Sequence, residues 1–172
     1  TIDAATAVEH LNARFSATFP EAGIRVLLND QMTADAAAGS DYLKIRSDAR
    51  FNAQDLDVLE VHEGWIHLGT TLNGAAQPYC TFLSKGPPSA TTTQEGLAVL
   101  TEILTLKSSP GRLQRLVNRV RAVTLAEQGA DFVEVFRYLR DAGIGEDESY
   151  GTAVRVFRGS LPSGPPFTKD LA

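Results

Sequence analysis

The stretch of residues 59–67, LEVHEGWIH, constrains the fold of this chain more than any other part of its sequence. It holds two of the three histidines, His62 and His67, and a glutamate, Glu63, directly after the first of them. A helix that carries histidines in this way can offer two imidazoles to Zn²⁺ and hold a carboxylate beside the metal. The usual spacing is H-E-x-x-H, and here the second histidine lies one residue further along.

The extra residue sets a geometric condition on that helix. In an α-helix, residues four apart differ in direction by about 40° and residues five apart by about 140°. A π-type distortion, with hydrogen bonds over five residues, returns His62 and His67 to roughly one side, and Gly64 between them makes such a distortion easier. A metal site therefore predicts a π-type distortion near Gly64. The alternative is a regular helix in which His62 faces the core and His67 and Glu63 face solvent.

A zinc site with one position left open for water needs a third protein ligand. Glu95 is the candidate, because it opens the helix that follows a long connection between residues 74 and 91. Its alternative role is to cap that helix together with Thr92. The neighbouring Gly96 occupies a position that suits a better helix former, which indicates close approach of another backbone or of a bound group.

Hydrophobic periodicity predicts an α+β fold, mostly helical, with a small sheet near the N-terminus packed on the helix that carries the histidines. Strands are predicted at residues 24–30 and 42–46, and the second is expected to align an extended peptide by edge pairing. Residues 31–40 suit either a short helix or a loop. The predicted helices, with Asp3 and Asn52 as the caps of the first two, cover residues 2–19, 53–72, 91–107, 110–127, 131–141 and 146–157.

Composition excludes several classes of function. The net charge of −5 gives no basic footprint for nucleic acid and no cationic face for a membrane surface. The single cysteine, Cys80, rules out an internal disulfide framework and fits a reducing compartment, so a cytoplasmic location is expected. The length predicts one domain over residues 1–172, and the ends of the sequence suggest a piece of a longer protein.

The run QEGLA at residues 94–98 resembles the signature of bacterial flavohemoglobin expression-modulating QEGLA-motif proteins. The same domain resembles the catalytic domain of the microtubule-associated tyrosine carboxypeptidases of animals. The resemblance covers nearly the whole chain, and its other segments are AAAGS at 36–40, HEGWIH at 62–67, LNG at 72–74, RVFRG at 155–159 and FTKD at 167–170.

The resemblance implies a zincin-like, zinc-dependent metallopeptidase that acts on a peptide or on a protein C-terminus. In the pattern of the family, the two histidines and the glutamate of the QEGLA run bind Zn²⁺, which corresponds to His62, His67 and Glu95. The glutamate after the first histidine, Glu63 here, acts as general base. Endopeptidase and carboxypeptidase action both remain open, as do the natural substrate and the oligomeric state.

A carboxypeptidase also needs a cation for the terminal carboxylate of its substrate. Arg155, Arg158 and Lys169 are the basic residues within the segments that carry the resemblance, and the two arginines are expected to share a helix face. A solvated basic face or structural ion pairs are the alternative. Tyr150, about one helical turn before Arg155, is a further candidate that could donate a hydrogen bond to an oxyanion.

A second class of function stays open beside the peptidase, namely a zinc-binding regulatory or binding module without catalysis. The presence of Glu63 disfavours it, because a structural zinc site has no use for a general base and prefers a closed coordination shell.

Overall fold

The computed structural model describes residues 1–32, 34–161 and 163 of the chain. It has an α+β architecture that is mostly helical with small sheets, as the periodicity predicts. The chain divides into two compact units, Thr1–Ser108 and Ser109–Ala172. The strands lie in the first unit, and the described part of the second unit consists of helices and turns. The expected single catalytic domain over residues 1–172 stays a prediction.

The first unit alternates short strands with helices. Its strands in the described residues are β1 (Ile2–Asp3), β2 (Arg25–Asn29), β3 (Ala36–Ala38), β4 (Tyr42–Arg46) and β5 (Arg50–Phe51). Its α-helices are α1 (Ala4–Thr18), α2 (Ala53–Leu59), α3 (Gly69–Ala75) and α4 (Thr91–Leu104), with a π-helical segment at Glu60–Leu68 and short 3₁₀ helices at Thr81–Lys85 and Pro88–Ala90.

A three-stranded sheet with the order β2-β4-β3 forms the β part of this unit beside a small β1-β5 pair. Strand β4 lies in the centre, parallel to β2 and antiparallel to β3. The predicted strand at residues 42–46 is confirmed, but its expected role as a peptide-binding edge is wrong, because both of its edges are already hydrogen-bonded. The edge strand next to the histidine helix is β3, within residues 31–40, where the sequence predicted a short helix or a loop and no strand.

The outer edge of β2 is closed by a side chain. The Val26 amide donates to Asn12 Oδ1 over 2.9 Å, and Asn12 Nδ2 donates to the Val26 carbonyl over 3.4 Å. Asn12 lies on α1, so its amide group takes the place of a neighbouring strand at this point. The outer edge of β3 also has one side-chain contact, because the Ala38 amide donates to Glu63 Oε2.

The core of the first unit lies between α1, the sheet and the histidine helix. Asp3 caps α1 by accepting a hydrogen bond from the Thr6 amide, as predicted. Helical spacing then places the buried Leu11 and Phe15 on the same side of α1. They pack in one cluster with buried residues of β4, α2 and the π-helical segment, which include Leu43, Ile45, Leu56 and Leu68.

The histidine helix is continuous through α2, the π-helical segment and α3. It begins at a capping box in which Asn52 and Asp55 each bind the backbone amide of the other. The π-helical segment covers nine residues, and the Gly69 amide donates to the Gly64 carbonyl, five residues earlier. Gly64 is buried against Phe15, and a Cβ at this position would overlap the Phe15 ring. The predicted π-type distortion near Gly64 is thus confirmed, and close packing adds a second reason for the glycine.

The second unit is a group of three helices in its described part, α5 (Pro110–Glu127), α6 (Phe132–Asp141) and α7 (Glu146–Val156). These correspond to the last three helices predicted from the sequence. Their facing sides bury a separate apolar cluster of Ala122, Ala126, Val135, Leu139, Ala153, Val156 and Phe157. Among the described residues of the chain, no helix combines the length and apolar character that crossing a membrane requires.

Candidate metal centre

The π-helical segment turns both histidines and Glu63 toward one point. One ligand atom of each of His62, Glu63 and His67 lies within 4.8 Å of those of the other two. The imidazole rings meet edge to face, with centroids 5.0 Å apart. Their side chains are only 13% and 16% exposed, so the alternative in which His67 faces solvent does not describe this structure.

Glu95 approaches the same point from α4. Its Oε2 lies 3.3 Å from His62 Nε2, and its Oε1 lies 3.4 Å from His67 Nε2. Helix α4 begins at Thr91 and has no side-chain capping bond, so Glu95 does not serve as the helix cap. Its carboxylate instead lies between the two imidazoles, which places the three side chains predicted as metal ligands together.

Two carboxylates, those of Glu63 and Glu95, could complete such a site, and their contacts differ. Glu63 Oε2 accepts a hydrogen bond from the Ala38 amide of β3 over 3.2 Å, which holds it toward the edge of the sheet. Glu95 contacts both Nε2 atoms. Each Glu95 oxygen lies next to one Nε2 atom, at 3.3 Å for His62 and 3.4 Å for His67, so the carboxylate is close enough to both imidazoles to share an ion with them. Glu95 therefore fits the role of ligand, and Glu63 that of a carboxylate beside it.

Two further residues of α4 hold the opposite side of each imidazole. His62 Nδ1 lies 2.6 Å from Glu102 Oε1, and His67 Nδ1 lies 2.9 Å from Gln94 Oε1. Glu102 is fully buried. The sequence interpretation missed both partners. The spacing of Glu102 was an available signal, since it follows Glu95 by seven residues and thus lies on the same side of the helix two turns later.

The carboxylates around His62 change its acidity. Burial disfavours the imidazolium and lowers the pKa of His62, but hydrogen bonds with Glu102 and then Glu95, together with the negative charges of Glu63 and Glu102, outweigh burial and raise that pKa to about 9. Without a metal, His62 therefore holds its second proton at neutral pH. Three carboxylates surround two imidazoles here, so the local charge favours a bound cation.

The donor atoms fit Zn²⁺ by their chemistry. Two imidazole nitrogens and one carboxylate form the ligand set of a known class of catalytic zinc sites, in which the fourth position stays open. Hydrogen bonds from the second ring nitrogen of each histidine to a carboxylate or an amide oxygen are the usual outer contacts of metal-binding histidines.

The sequence matches, over residues 1–172, the family described as microtubule-associated tyrosine carboxypeptidase. The chain belongs to this family. Searches of curated proteins and of solved structures give no match. Membership in the tyrosine carboxypeptidase family implies a carboxypeptidase-like function. The resemblance to the QEGLA-motif proteins stays a prediction.

The residues predicted to bind the substrate of such a carboxypeptidase lie in the second unit. Arg155 is half-buried in the last turn of α7, whereas Arg158 is exposed and follows the end of that helix at Val156. The expectation that the two arginines share a helix face is therefore wrong. The Tyr150 ring packs edge to face on Phe132. Lys169 lies outside the described residues, and all four roles in substrate binding stay predictions.

The space around Gly96 is open. No atom of the described residues would lie within 4 Å of a Cβ at this position. The expected close approach of another backbone at Gly96 is therefore wrong. The alternative expectation, that a bound group lies close to Gly96, stays a prediction.

Proposed function

We propose that this chain is a zinc-dependent carboxypeptidase with a zincin-like catalytic unit, in which His62, His67 and Glu95 hold the metal and Glu63 is the general base. One observation carries the proposal, namely that the Glu95 carboxylate lies 3.3 and 3.4 Å from the two Nε2 atoms while Glu63 belongs to the same cluster. Membership in the tyrosine carboxypeptidase family supports the reaction class. The substrate is a peptide or the C-terminus of a protein.

The residues of the cluster divide the chemistry between them. When bound, Zn²⁺ acidifies water and polarises a carbonyl group. Glu63 takes a proton from the attacking water and returns it to the leaving amine. The Ala38 amide engages Glu63 Oε2, and among the described residues Oε1 has no hydrogen bond, so one oxygen is held in place while the other can accept the proton.

Strand β3 supplies a means of aligning the substrate beside Glu63. The Gly39 amide donates to the Tyr42 carbonyl and the Arg46 amide donates to the Asp35 carbonyl, so alternate residues of this stretch face β4. The main-chain groups of Ala36 and Ala38 consequently point away from β4. The Ala38 amide already binds Glu63, so an extended peptide would pair with the Ala36 groups and the Ala38 carbonyl, next to the Glu63 carboxylate. Main-chain pairing of this kind gives affinity without regard to side chains.

The test combines metal content with hydrolysis. Wild-type protein should take up about one Zn²⁺ per chain and remove C-terminal residues from a peptide library. Glu63→Gln should keep the zinc and lose about 10²–10⁴-fold in kcat, the usual contribution of general acid–base catalysis. Glu9→Gln, the same change at an exposed residue of α1, serves as the matched control and should leave both unchanged.

The outcomes separate the candidate functions. Cleavage of free C-termini but not of C-terminal amides supports a carboxypeptidase, whereas equal cleavage of both indicates an endopeptidase. Stoichiometric zinc without hydrolysis of any peptide would overturn the enzymatic proposal in favour of a zinc-binding regulatory module. Absence of zinc uptake would overturn the ligand assignment itself.

A further inference from the structure

Each histidine of the cluster is held from its far side by the same helix. Glu102 Oε1 lies 2.6 Å from His62 Nδ1, and Gln94 Oε1 lies 2.9 Å from His67 Nδ1. Both partners belong to α4, which also carries Glu95. Helix α4 thus supplies one predicted metal ligand, Glu95, and the outer contacts of the other two predicted ligands, His62 and His67.

The chemistry of these partners determines which ring nitrogen carries the proton. An ionised carboxylate and an amide oxygen can only accept hydrogen bonds. In both contacts the imidazole must therefore donate through Nδ1–H. A neutral histidine with its proton on Nδ1 leaves Nε2 as the nitrogen with a free lone pair. Both Nε2 atoms lie next to Glu95, so once a metal replaces the second proton of His62, the two outer contacts direct both lone pairs to the same place.

Glu102 carries a carboxylate in a fully buried position, which filling space in the core does not require. Its side chain is completely inaccessible to solvent, although a buried carboxylate costs several kcal/mol unless it is paired. An apolar side chain of similar size would fill this position without that cost. Its short hydrogen bond with His62 is the interaction that a leucine or methionine could not provide.

We propose that Glu102 and Gln94 are the positioning residues of this metal site, which fix the Nδ1–H form of His62 and His67 and thereby select Nε2 as the ligating atom of each. The inference rests on the proposed function, since it assigns roles toward the metal. Glu102 is the stronger of the two, because it is charged and fully buried, whereas Gln94 is neutral and half-buried. Charge-assisted hydrogen bonds are roughly twice as strong as neutral ones.

Zinc affinity tests the proposal, measured by competition with a chromophoric chelator. Glu102→Leu removes the acceptor and should weaken zinc binding about 10–100-fold, the usual loss for an outer-shell partner. Glu102→Gln retains an acceptor and should recover part of that loss, and Gln94→Leu should have a smaller effect than Glu102→Leu. Glu9→Gln again serves as the control.

A stability measurement on the metal-free proteins separates positioning from folding. Glu102→Leu removes one partner of a buried pair, so the thermal midpoint of the metal-free variant should fall, and zinc affinity is measured well below that midpoint, where the variant is folded. A purely structural role would lower the thermal midpoint alone, and the folded variant would bind zinc as tightly as the wild type. That result would overturn the proposal, whereas weakened zinc binding by the folded variant, partly recovered in Glu102→Gln, supports it.

Nitrogen NMR of the zinc-loaded wild type needs no substitution. Long-range ¹H–¹⁵N spectra should show a retained proton on Nδ1 and metal coordination at Nε2 for His62 and for His67. Coordination through Nδ1 at either residue would overturn the assignment there. If wild-type protein takes up no zinc, the proposed function falls as well; if it takes up zinc and Glu102→Leu binds it equally well, only the positioning role falls.

Discussion

The two units of this chain bury polar groups in different ways. The first unit buries the Glu102 carboxylate against His62, close to two further carboxylates. The second unit buries Asn118 and Ser149, which are both uncharged. Asn118 Oδ1 accepts a hydrogen bond from Gln114 Nε2, and Ser149 Oγ donates one to the Ile144 carbonyl. Both units have buried apolar clusters of their own. The difference therefore does not arise because one unit lacks a core.

The contrast shows where the chain tolerates an energetic cost. Uncharged buried groups with local hydrogen-bond partners stabilise the fold or have little net effect on its stability. Buried charges cost free energy unless they are paired, and sites that shift pKa values by such means are often functional. In the described residues, the groups with the chemistry of a metal site meet in the first unit, on the π-helical segment and α4. Three changes test this division of roles, in order of decreasing effect.

The largest effect is expected from a cavity in the second unit. Leu139 is fully buried in its apolar cluster, so Leu139→Ala should lower the free energy of unfolding by about 2–5 kcal/mol. Chemical denaturation measures this loss. Val133→Ala, at a side chain exposed on the same helix, is the control. Zinc affinity should not change with Leu139→Ala, and a matching loss of affinity would contradict the proposal that the metal site belongs to the first unit alone.

The second effect concerns pH and the metal-free first unit. Although burial lowers the pKa of His62, the carboxylates around it raise that pKa to about 9 in the folded protein, against an ordinary value of 6.5 for histidine. The folded state therefore binds the proton more tightly, and this stabilisation is complete below pH 6.5 and is lost as the pH rises through 9. The free energy of unfolding should fall by up to about 3 kcal/mol over that range.

Denaturation in the presence of a chelator, repeated across the pH range, measures the loss. His62→Gln should remove this pH-dependent component, whereas His10→Gln, at an exposed residue of α1, should retain it. A wild-type stability that stays flat between pH 6.5 and 9 would show that the carboxylates around His62 do not hold its proton.

The smallest effect compares one glycine from each unit. A Cβ at Gly64 would overlap the Phe15 ring, whereas the space around Gly151 on α7 is open among the described residues. Gly64→Ala should lower the free energy of unfolding by about 1–3 kcal/mol through overpacking and weaken zinc binding by displacing the histidines. Gly151→Ala should instead raise the free energy of unfolding by about 0.5–1 kcal/mol, because alanine suits a helix interior better than glycine.

A second substitution sharpens the comparison at Gly64. Phe15→Leu in the Gly64→Ala background makes room for the added methyl group, so the two changes should be less harmful together than the sum of their separate effects. Strict additivity would mean that contact with Phe15 does not account for the requirement for glycine.

Local patterns predicted much of the fold. The caps Asp3 and Asn52, the strand at residues 42–46 and the helices of the second unit follow from periodicity and capping chemistry. The odd spacing of His62 and His67 was more informative still, because two imidazoles five residues apart can meet only if the helix departs from α geometry. The π-helical segment at Glu60–Leu68 is that departure.

The features that the sequence did not predict depend on tertiary contacts. Strand β3 consists of three alanines, which have no strand preference of their own, and it forms because β4 offers a partner. The contact of Glu102 with His62 exists only because α4 packs beside the π-helical segment, and a single glutamate in a helix does not show which residue it faces. The same limit applies to strand 42–46, whose sequence shows a half-buried strand but not whether it lies at the centre or at the edge of the sheet.

The Asn12 amide on the outer edge of β2 has a consequence for self-association. Exposed strand edges can pair with a second copy of the same chain and start aggregation. Asn12 occupies the Val26 amide and carbonyl, so no foreign strand can run past this point of β2 in register. One side chain of α1 thus hinders a second copy of the chain from continuing the sheet at β2.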